Sequence, residues 1–275
     1  MQVVSDEKVK EIKNKLEVVE SEHKVTILYA CESGSRIWEF ASQDSDWDVR
    51  FIYVRPLDWY LSVDRLYNFK SKSDVIEYPI DSDMIDMSGW DLSKALYQLY
   101  KSNCPLLEWL NSSIKYINNS SLVEDMMIAG GRAWSIKKAM YHYLSMTEGN
   151  TKDYLIGRDL VWIKKYIYIL RTLLCCLYIE KRQIYPPVSI FDLIRDVPNP
   201  KDVTREIESL LKRKIAGEEL GKDKPNDILN NFIFMEIERL KQKVIPILLE
   251  IQKPDSLELI NPILQKWMIG VRKNR

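Results

Sequence analysis

The sequence predicts an α+β protein in which an N-terminal α/β domain with a short mixed sheet precedes an all-helical C-terminal domain. The β-rich apolar runs all lie before about residue 90. After residue 116 no convincing strand pattern follows; apolar residues recur at helical spacing and prolines separate the segments. We therefore expect domains over residues 1–115 and 116–275, with a ligand cleft between them.

The elements of the N-terminal half follow from residue periodicity and from turn and cap residues. Apolar runs predict the strands, and a helical repeat of apolar residues predicts the first helix. Asp91 has the position of a helix N-cap before Leu92. The strand candidates are residues 24–31, 47–54, 74–80 and 83–87. The helix candidates are residues 5–20, 35–40, 91–102 and 105–110.

The C-terminal half is predicted to be helical throughout. Prolines at 186–187, 198–200 and 225 interrupt its apolar periodicity. The helix candidates are residues 121–129, 133–147, 152–181, 189–195, 201–216, 226–251 and 256–271.

Composition excludes several classes of protein. With 40 basic and 40 acidic residues the formal net charge is zero, so any binding of nucleic acid must come from a local patch of positive charge. No run approaches the roughly twenty apolar residues of a membrane span, and the charged segment Met1–Lys15 is not a secretory signal. The four cysteines fit no zinc pattern, which favours a reduced, cytoplasmic setting.

The most informative segment is Gly34-Ser35 followed by Asp46-x-Asp48 at the start of an apolar strand. Alternate residues of a strand share a face, so the two carboxylates should project together and attract a cation between them. Mg²⁺ is the expected cation, with Mn²⁺ as the alternative, because it favours carboxylate and phosphate oxygens. The Gly-Ser turn can offer N–H groups to the same phosphates. A plain surface turn is the competing interpretation.

This motif resembles that of the DNA polymerase β-type nucleotidyltransferases. Within that superfamily the chain is most similar to the RlaP group, which includes the YcgL-like predicted nucleotidyltransferases and is linked by name to RNA repair. Four further segments carry the closer resemblance: residues 53–62, 89–96, 103–110 and 164–171. Glu39 departs from the pattern, since many relatives are expected to have glycine there.

The resemblance implies a third metal-binding acid on a neighbouring strand, between apolar residues. Ile85-Asp86-Met87 fits this description, so Asp46, Asp48 and Asp86 are expected to bind the metals and to be catalytic. Asp91 is the rival for the third position, although it suits an N-cap.

Phosphate binding is expected from Gly34 and Ser35. Arg36 can reach phosphate or substrate, or can pair with Glu39 or Asp44. Arg50 continues the face of Asp48 and can neutralise the carboxylates, touch the acceptor or form a structural ion pair.

Lys164, Lys165 and Tyr166 lie in a strongly apolar helical segment. Adjacent lysines point about 100° apart on a helix, so both cannot reach solvent equally well from one face. The resemblance implies that one lysine contacts the triphosphate and that the tyrosine contacts the nucleotide. Two solvated lysines on an amphipathic helix are the alternative.

The expected function is Mg²⁺-dependent transfer of a nucleoside monophosphate from a nucleoside triphosphate to a hydroxyl acceptor. An RNA end is the acceptor that the resemblance suggests. The alternatives are transfer to a small molecule or a protein hydroxyl, or nucleotide binding without catalysis. The sequence leaves base preference and oligomeric state open.

Overall fold

A five-stranded mixed sheet forms the centre of the N-terminal half and confirms the predicted α+β class. The computed structural model describes residues 4–63, 74–217, 221–245 and 257–273. The strands are β1 (Thr26–Glu32), β2 (Trp47–Val54), β3 (Val75–Tyr78), β4 (Ile85–Asp91) and β5 (Lys115–Asn118). Their order is β3-β4-β2-β1-β5; β2 and β4 run parallel, whereas the other neighbours are antiparallel.

One face of this sheet is packed as a core. The first helix, α1 (Asp6–His23), begins at the N-cap Ser5 and contributes Ile12, Leu16 and Val19. Val49 and Phe51 of β2 belong to the same cluster. Full burial of each such side chain contributes about 1.5–3 kcal/mol, so this packing fixes which face β2 turns inward. The alternate residues of β2, including Asp48 and Arg50, consequently lie on the opposite face.

The remaining helices follow the predicted order with shifted ends, except that the four-residue helix at 57–60 was not predicted. They are α2 (Gly34–Ile37), α3 (Leu57–Tyr60), α4 (Leu92–Tyr100), α5 (Cys104–Leu110), α6 (Ser120–Ala133), α7 (Ile136–Tyr154), α8 (Ile163–Arg182), α9 (Ile190–Asp196), α10 (Lys201–Ile215), α11 (Asp227–Arg239), a π-helical turn (Leu240–Val244) and α12 (Leu257–Lys273). Asp91 caps α4 as predicted, and its side chain accepts from Ser93 N.

The prediction that no strand follows residue 116 was wrong. Strand β5 reaches Asn118 and pairs with β1, and a two-stranded ladder joins β6 (Val161–Trp162) to β7 (Lys222–Asp223). The single helix predicted over 152–181 was also wrong, because α7 ends at Tyr154 and α8 begins at Ile163. Gly157 adopts φ +69° in this break, a conformation that ends a helix.

The described residues pack into two compact units. The first contains the sheet and draws on residues 1–37, 46–134 and 252–275; the second draws on residues 38–45 and 135–251. Strand β5 crosses the boundary predicted at residue 115, so by packing the first unit continues to Trp134.

Helix α8 supplies much of the core of the second unit. It buries residues on all sides, as expected of a helix enclosed by others. Cys175 and Cys176 are not in disulfides and are buried within it, where they pack as small apolar residues. Among the helices of the described ranges, none combines the length and the hydropathy that a membrane crossing requires.

Candidate active site

Asp48 and Asp86 lie side by side on neighbouring parallel strands. The register of β2 and β4 sets Asp48 opposite Asp86 and Arg50 opposite Ser88. All of these residues belong to the face that turns away from the α1 core. The sheet therefore brings together two of the three acids expected to bind metal, although they are distant in sequence.

The guanidinium of Arg50 bridges these two carboxylates. Its Nη2 donates to Asp48 Oδ1 at 3.0 Å and to Asp86 Oδ2 at 2.8 Å. Its Nη1 donates to the carbonyl oxygens of Val49 and Asp86 at 3.0 and 3.2 Å. A positive charge thus relieves the repulsion between the two acids. Of the roles expected for Arg50, the structure shows an ion pair, and its second partner is Asp86.

The turn after β1 brings its backbone against the carboxylate of Asp48. Gly34 has φ +63°, and a Cβ on this residue would stand 2.1 Å from Asp48 Oδ2. The neighbouring Ser33 N donates to the Asp48 carbonyl at 2.8 Å. Glycine alone satisfies both the backbone angle and the close approach. The structure therefore joins the two halves of the motif, with the buried Ser35 following Gly34 in α2.

Glu32, at the end of β1, is a buried acid that contacts the backbone of Asp48. Its Oε1 accepts from Asp48 N at 2.8 Å, and its Oε2 accepts from Tyr116 Oη at 2.5 Å. Sequence reasoning missed Glu32 and Tyr116. The available signal was a charged residue at the end of an apolar strand, directly before the Ser33-Gly34 turn. Tyr116 carried no such signal because β5 was not predicted.

Burial raises the pKa of Glu32 to about 7, although hydrogen bonds from Tyr116 and Asp48 N and the charge of Arg36 favour ionisation. The negative charge of Asp48 adds to the rise. Such an acid binds its proton more tightly in the folded than in the unfolded chain. Its contribution to stability is fully present below the ordinary pKa of 4.5 and is lost as the pH rises to about 7. The difference between these two pKa values corresponds to roughly 3 kcal/mol of unfolding free energy.

We expect a Glu32→Gln variant to lose this pH dependence. Glutamine keeps an oxygen for Asp48 N but stays uncharged at every pH. Between about pH 4 and about pH 8, the unfolding free energy of the variant should therefore fall about 3 kcal/mol less than that of the wild type. Urea denaturation in a chelating buffer measures the difference. Glu77→Gln, at an exposed position of β3, is the control. A decline in Glu32→Gln equal to the wild type's would assign the effect to another group.

Arg36 holds the backbone at Asp46. Its guanidinium stacks on the ring of Trp47 at 3.5 Å from the centroid, and its Nε donates to the Asp46 carbonyl at 3.1 Å. It also lies near buried Glu32, with Nε 3.9 Å from Oε1. These contacts give Arg36 a structural role beside the half-buried Asp46, and its contact with phosphate stays a prediction.

Asp86 and Asp91 occupy very different surroundings on β4. Asp91 is buried, accepts from Ser93 N at 2.9 Å and from Tyr60 Oη at 2.6 Å, and has a pKa that burial raises. Asp86 is partly exposed and faces Asp48. The surroundings of Asp91 are those of a structural cap, which favours Asp86 as the third acid.

The spacer between the two halves of the motif belongs to the second unit. Trp38 stacks against Arg171 of α8, whose Cζ is 4.2 Å from the ring centroid, and Trp38 O accepts from Ile190 N at 3.2 Å. Lys214 of α10 donates to Ser42 Oγ at 2.6 Å. The helices of the second unit therefore fix the loop that connects Gly34-Ser35 to Asp46.

Glu39, which departs from the family pattern, has a left-handed backbone conformation and a bound side chain. Its φ of +70° lies in the left-handed region, where glycine is favoured, which accounts for the glycine expected in relatives. Its carboxylate accepts from Ser189 Oγ at the start of α9. The extra acid is therefore bound within the second unit.

Lys164 and Lys165 begin α8 and differ in their contacts. Lys165 Nζ lies 4.2 Å from the ring centroid of Tyr154, whereas Lys164 is exposed. A hydrogen bond from Ser42 lowers the pKa of Asp44, and the charges of Lys214 and Lys164 lower it further. The charge of Lys164 is therefore one of several contributions that favour the ionised form of Asp44.

Tyr166 is held inside the second unit. Its hydroxyl donates to Asn230 Oδ1 at 2.7 Å and accepts from Asn226 N at 3.0 Å, and its side chain is buried. These contacts give it a packing role, and contact with a nucleotide stays a prediction for Tyr166 and for both lysines.

Within the described ranges, no three His, Cys, Asp or Glu side chains are grouped so that they could hold a metal ion as they stand. Asp48 and Asp86 are instead spaced around the Arg50 guanidinium. Their chemistry fits a hard divalent cation, because carboxylate oxygens are the ligands that Mg²⁺ prefers. Arg50 shows that a positive charge is accommodated between them.

A mixed sheet that sets a Gly-Ser turn against an Asp-x-Asp strand is the arrangement of a polymerase β-type nucleotidyltransferase. A family model described as "RlaP: RNA repair pathway DNA polymerase beta family" matches residues 9–265. The chain belongs to this family, which confirms the resemblance inferred from the sequence motifs.

Individual relatives extend the comparison. The chain is 41% identical over 261 residues to the Bacillus subtilis (strain 168) protein named "Uncharacterized protein YcgL", covering 95% of this chain and 96% of that protein. Among solved structures, a nucleotidyltransferase-like protein from Exiguobacterium sibiricum 255-15 is 11% identical, with a TM-score of 0.28 over 96% of this chain and 80% of that one. A TM-score this low indicates nothing about the function of the chain.

Proposed function

We propose that the protein is a Mg²⁺-dependent nucleotidyltransferase that moves a nucleoside monophosphate from a nucleoside triphosphate to a hydroxyl group. The observation that carries the proposal is the convergence of Asp48, Asp86 and the Gly34 turn on one face of the sheet. Acidic side chains beside a tight glycine turn suit a cation-bound triphosphate. The family assignment supports the same chemistry.

Asp46, Asp48 and Asp86 would hold Mg²⁺, or Mn²⁺ in its place. The metal would supply positive charge that stabilises the entering and leaving oxygens of the transfer. The carboxylate of Asp86, which is partly exposed, would also accept the proton of the attacking hydroxyl. Glu32 would maintain the site by holding Asp48 N, and Arg36 by holding the Asp46 carbonyl.

Nucleotide binding would use the Gly-Ser turn and the basic and aromatic residues inferred from the sequence. Gly34 and Ser35 offer a turn for phosphate, and Arg36 and Lys164 supply positive charge near the motif and its spacer. Lys165 and Tyr166 complete the set inferred from the resemblance. The family description makes an RNA end the first acceptor to test, and the zero net charge argues for a short contact with it.

Labelled triphosphates test the proposal directly. The full chain is incubated with Mg²⁺ and each of the four ribonucleoside triphosphates, labelled in parallel at the α- or γ-phosphate, with and without an RNA oligonucleotide. Nucleotidyl transfer should move the α-label to RNA and release the γ-label as pyrophosphate. Transfer of the γ-label would indicate a phosphotransferase and overturn the proposal.

The same assay separates the alternatives. An α-label on the protein or on a small molecule from a metabolite mixture would keep the chemistry and replace the acceptor. Nucleotide binding without release of pyrophosphate under any of these conditions would indicate a protein that binds nucleotide without catalysis.

A further inference from the structure

The contacts of Arg50 are those of a cation enclosed by a binding site. One nitrogen, Nη2, lies within 3.0 Å of both Asp48 Oδ1 and Asp86 Oδ2. The other terminal nitrogen, Nη1, donates to two carbonyl oxygens. The guanidinium therefore donates to four oxygens, two from carboxylates and two from the backbone, and oxygen is also the ligand that a hard divalent cation prefers.

This placement has a consequence for metal binding. A cation that binds Asp48 Oδ1 and Asp86 Oδ2 together would enter the space that Nη2 occupies, since both oxygens already accept from that atom. The three side chains remain 18–35% exposed, so water reaches the cluster and the ion pairs are only moderately strong. A divalent cation carries twice the charge of the guanidinium and can displace it.

We propose that Arg50 is an internal counter-ion that holds Asp48 and Asp86 together in the metal-free protein and must leave before a divalent cation binds. The proposal rests on the function proposed above, because it assumes that these carboxylates take a metal. Once displaced, the guanidinium is free to pair with a phosphate oxygen of the incoming nucleotide, for which its planar set of donors is well suited. Through Arg50, binding of the metal would thereby be coupled to binding of the triphosphate.

Replacing Arg50 with methionine tests the competition. Methionine fills similar space without charge, so the dissociation constant for Mn²⁺ in the absence of nucleotide should fall by about tenfold relative to the wild type. Electron paramagnetic resonance of free Mn²⁺ measures this constant without reliance on activity. Arg50→Lys keeps a charge and should fall between the two.

Lys15→Met provides a matched control, because Lys15 Nζ also bridges two aspartates, with Asp81 at 2.6 Å and Asp83 at 3.0 Å. An equal gain in Mn²⁺ affinity in this variant would show that any exposed aspartate pair produces the effect, and would overturn the proposal. Adding Asp48→Asn to Arg50→Met should abolish the gain.

Thermal unfolding gives a second readout in the same proteins. Arg50→Met should unfold at a lower temperature than the wild type in chelating buffer, since its acids then repel each other, and Mn²⁺ should raise its Tm by more than it raises that of the wild type. Should Arg50→Met fail to fold in chelating buffer, recovery of folding by Mn²⁺ would support the competition. Failure of Mn²⁺ to restore it would count against the proposal.

Two outcomes distinguish an error in the metal site from an error in the role of Arg50. If neither the wild type nor Arg50→Met binds Mn²⁺, with or without a non-hydrolysable triphosphate, the metal assignment itself is wrong. If the wild type binds Mn²⁺ as tightly as Arg50→Met, the nucleotidyltransferase proposal stands and Arg50 is not a counter-ion that competes with the metal.

Discussion

Replacement of Asp46 with alanine should reduce nucleotidyl transfer by a factor on the order of 10³ while leaving the fold intact. The contacts that hold this position run through its backbone, since Arg36 Nε donates to the Asp46 carbonyl and the Trp47 ring stacks on the same guanidinium. Alanine preserves that carbonyl. The unfolding free energy should therefore change by less than about 1 kcal/mol, and turnover should fall because one expected metal ligand is gone.

The measurement combines release of pyrophosphate with urea denaturation of the same preparation. Asp83→Ala is the control, because Asp83 lies in the turn before β4, where it pairs with Lys15. It should keep full turnover. Retention of wild-type turnover by Asp46→Ala would show that the metal assignment is wrong, whereas a large loss of stability would mean that its carboxylate has a structural role.

Replacement of Gly34 with alanine should weaken both the fold and the activity. The added Cβ would meet Asp48 Oδ2 at 2.1 Å and Asp48 Cγ at 2.9 Å, at a backbone angle of φ +63°. The left-handed angle alone costs about 1–2 kcal/mol, and moving the carboxylate brings the total to roughly 2–4 kcal/mol. A shift of Asp48 by about 1 Å should lower turnover about a hundredfold.

A second glycine separates these two effects. Gly157 has φ +69°, and nothing lies within 4 Å of the position that its Cβ would take. Gly157→Ala should therefore lose only the roughly 1–2 kcal/mol of the backbone term and keep full turnover. If Gly34→Ala lost no more stability than Gly157→Ala and kept its activity, the close approach to Asp48 would have no functional importance.

Features that depend on residues close along the chain could be predicted from the sequence. The bounds of β2 were predicted without error, because its apolar residues begin and end where the strand does. The cap at Asp91 was predicted from the short polar residue before Leu92. The core residues of α1 follow from helical spacing. The acids of the motif could be named because Gly34-Ser35 and Asp46-x-Asp48 form a recognisable local pattern.

Features that depend on a partner strand or on a buried neighbour could not be predicted from the sequence. Strand β5 has only four residues and no strong alternation, and it is a strand because β1 provides its hydrogen bonds. Asn103 caps the start of α5 by accepting from Leu106 N, and a short polar side chain of this kind can stand at either end of a helix.

From the residues alone, the class of the fold and the family could be predicted, and Asp46, Asp48 and Asp86 could be named as candidate metal ligands. Local periodicity and short motifs encode these properties, since each depends on residues that are close along the chain. Folding added the pairing of Asp48 with Asp86, the Arg50 bridge between them and the burial of Glu32 beneath Asp48 N. Those contacts arise from strand register and desolvation, which depend on segments far apart in sequence and become defined only when the sheet is assembled.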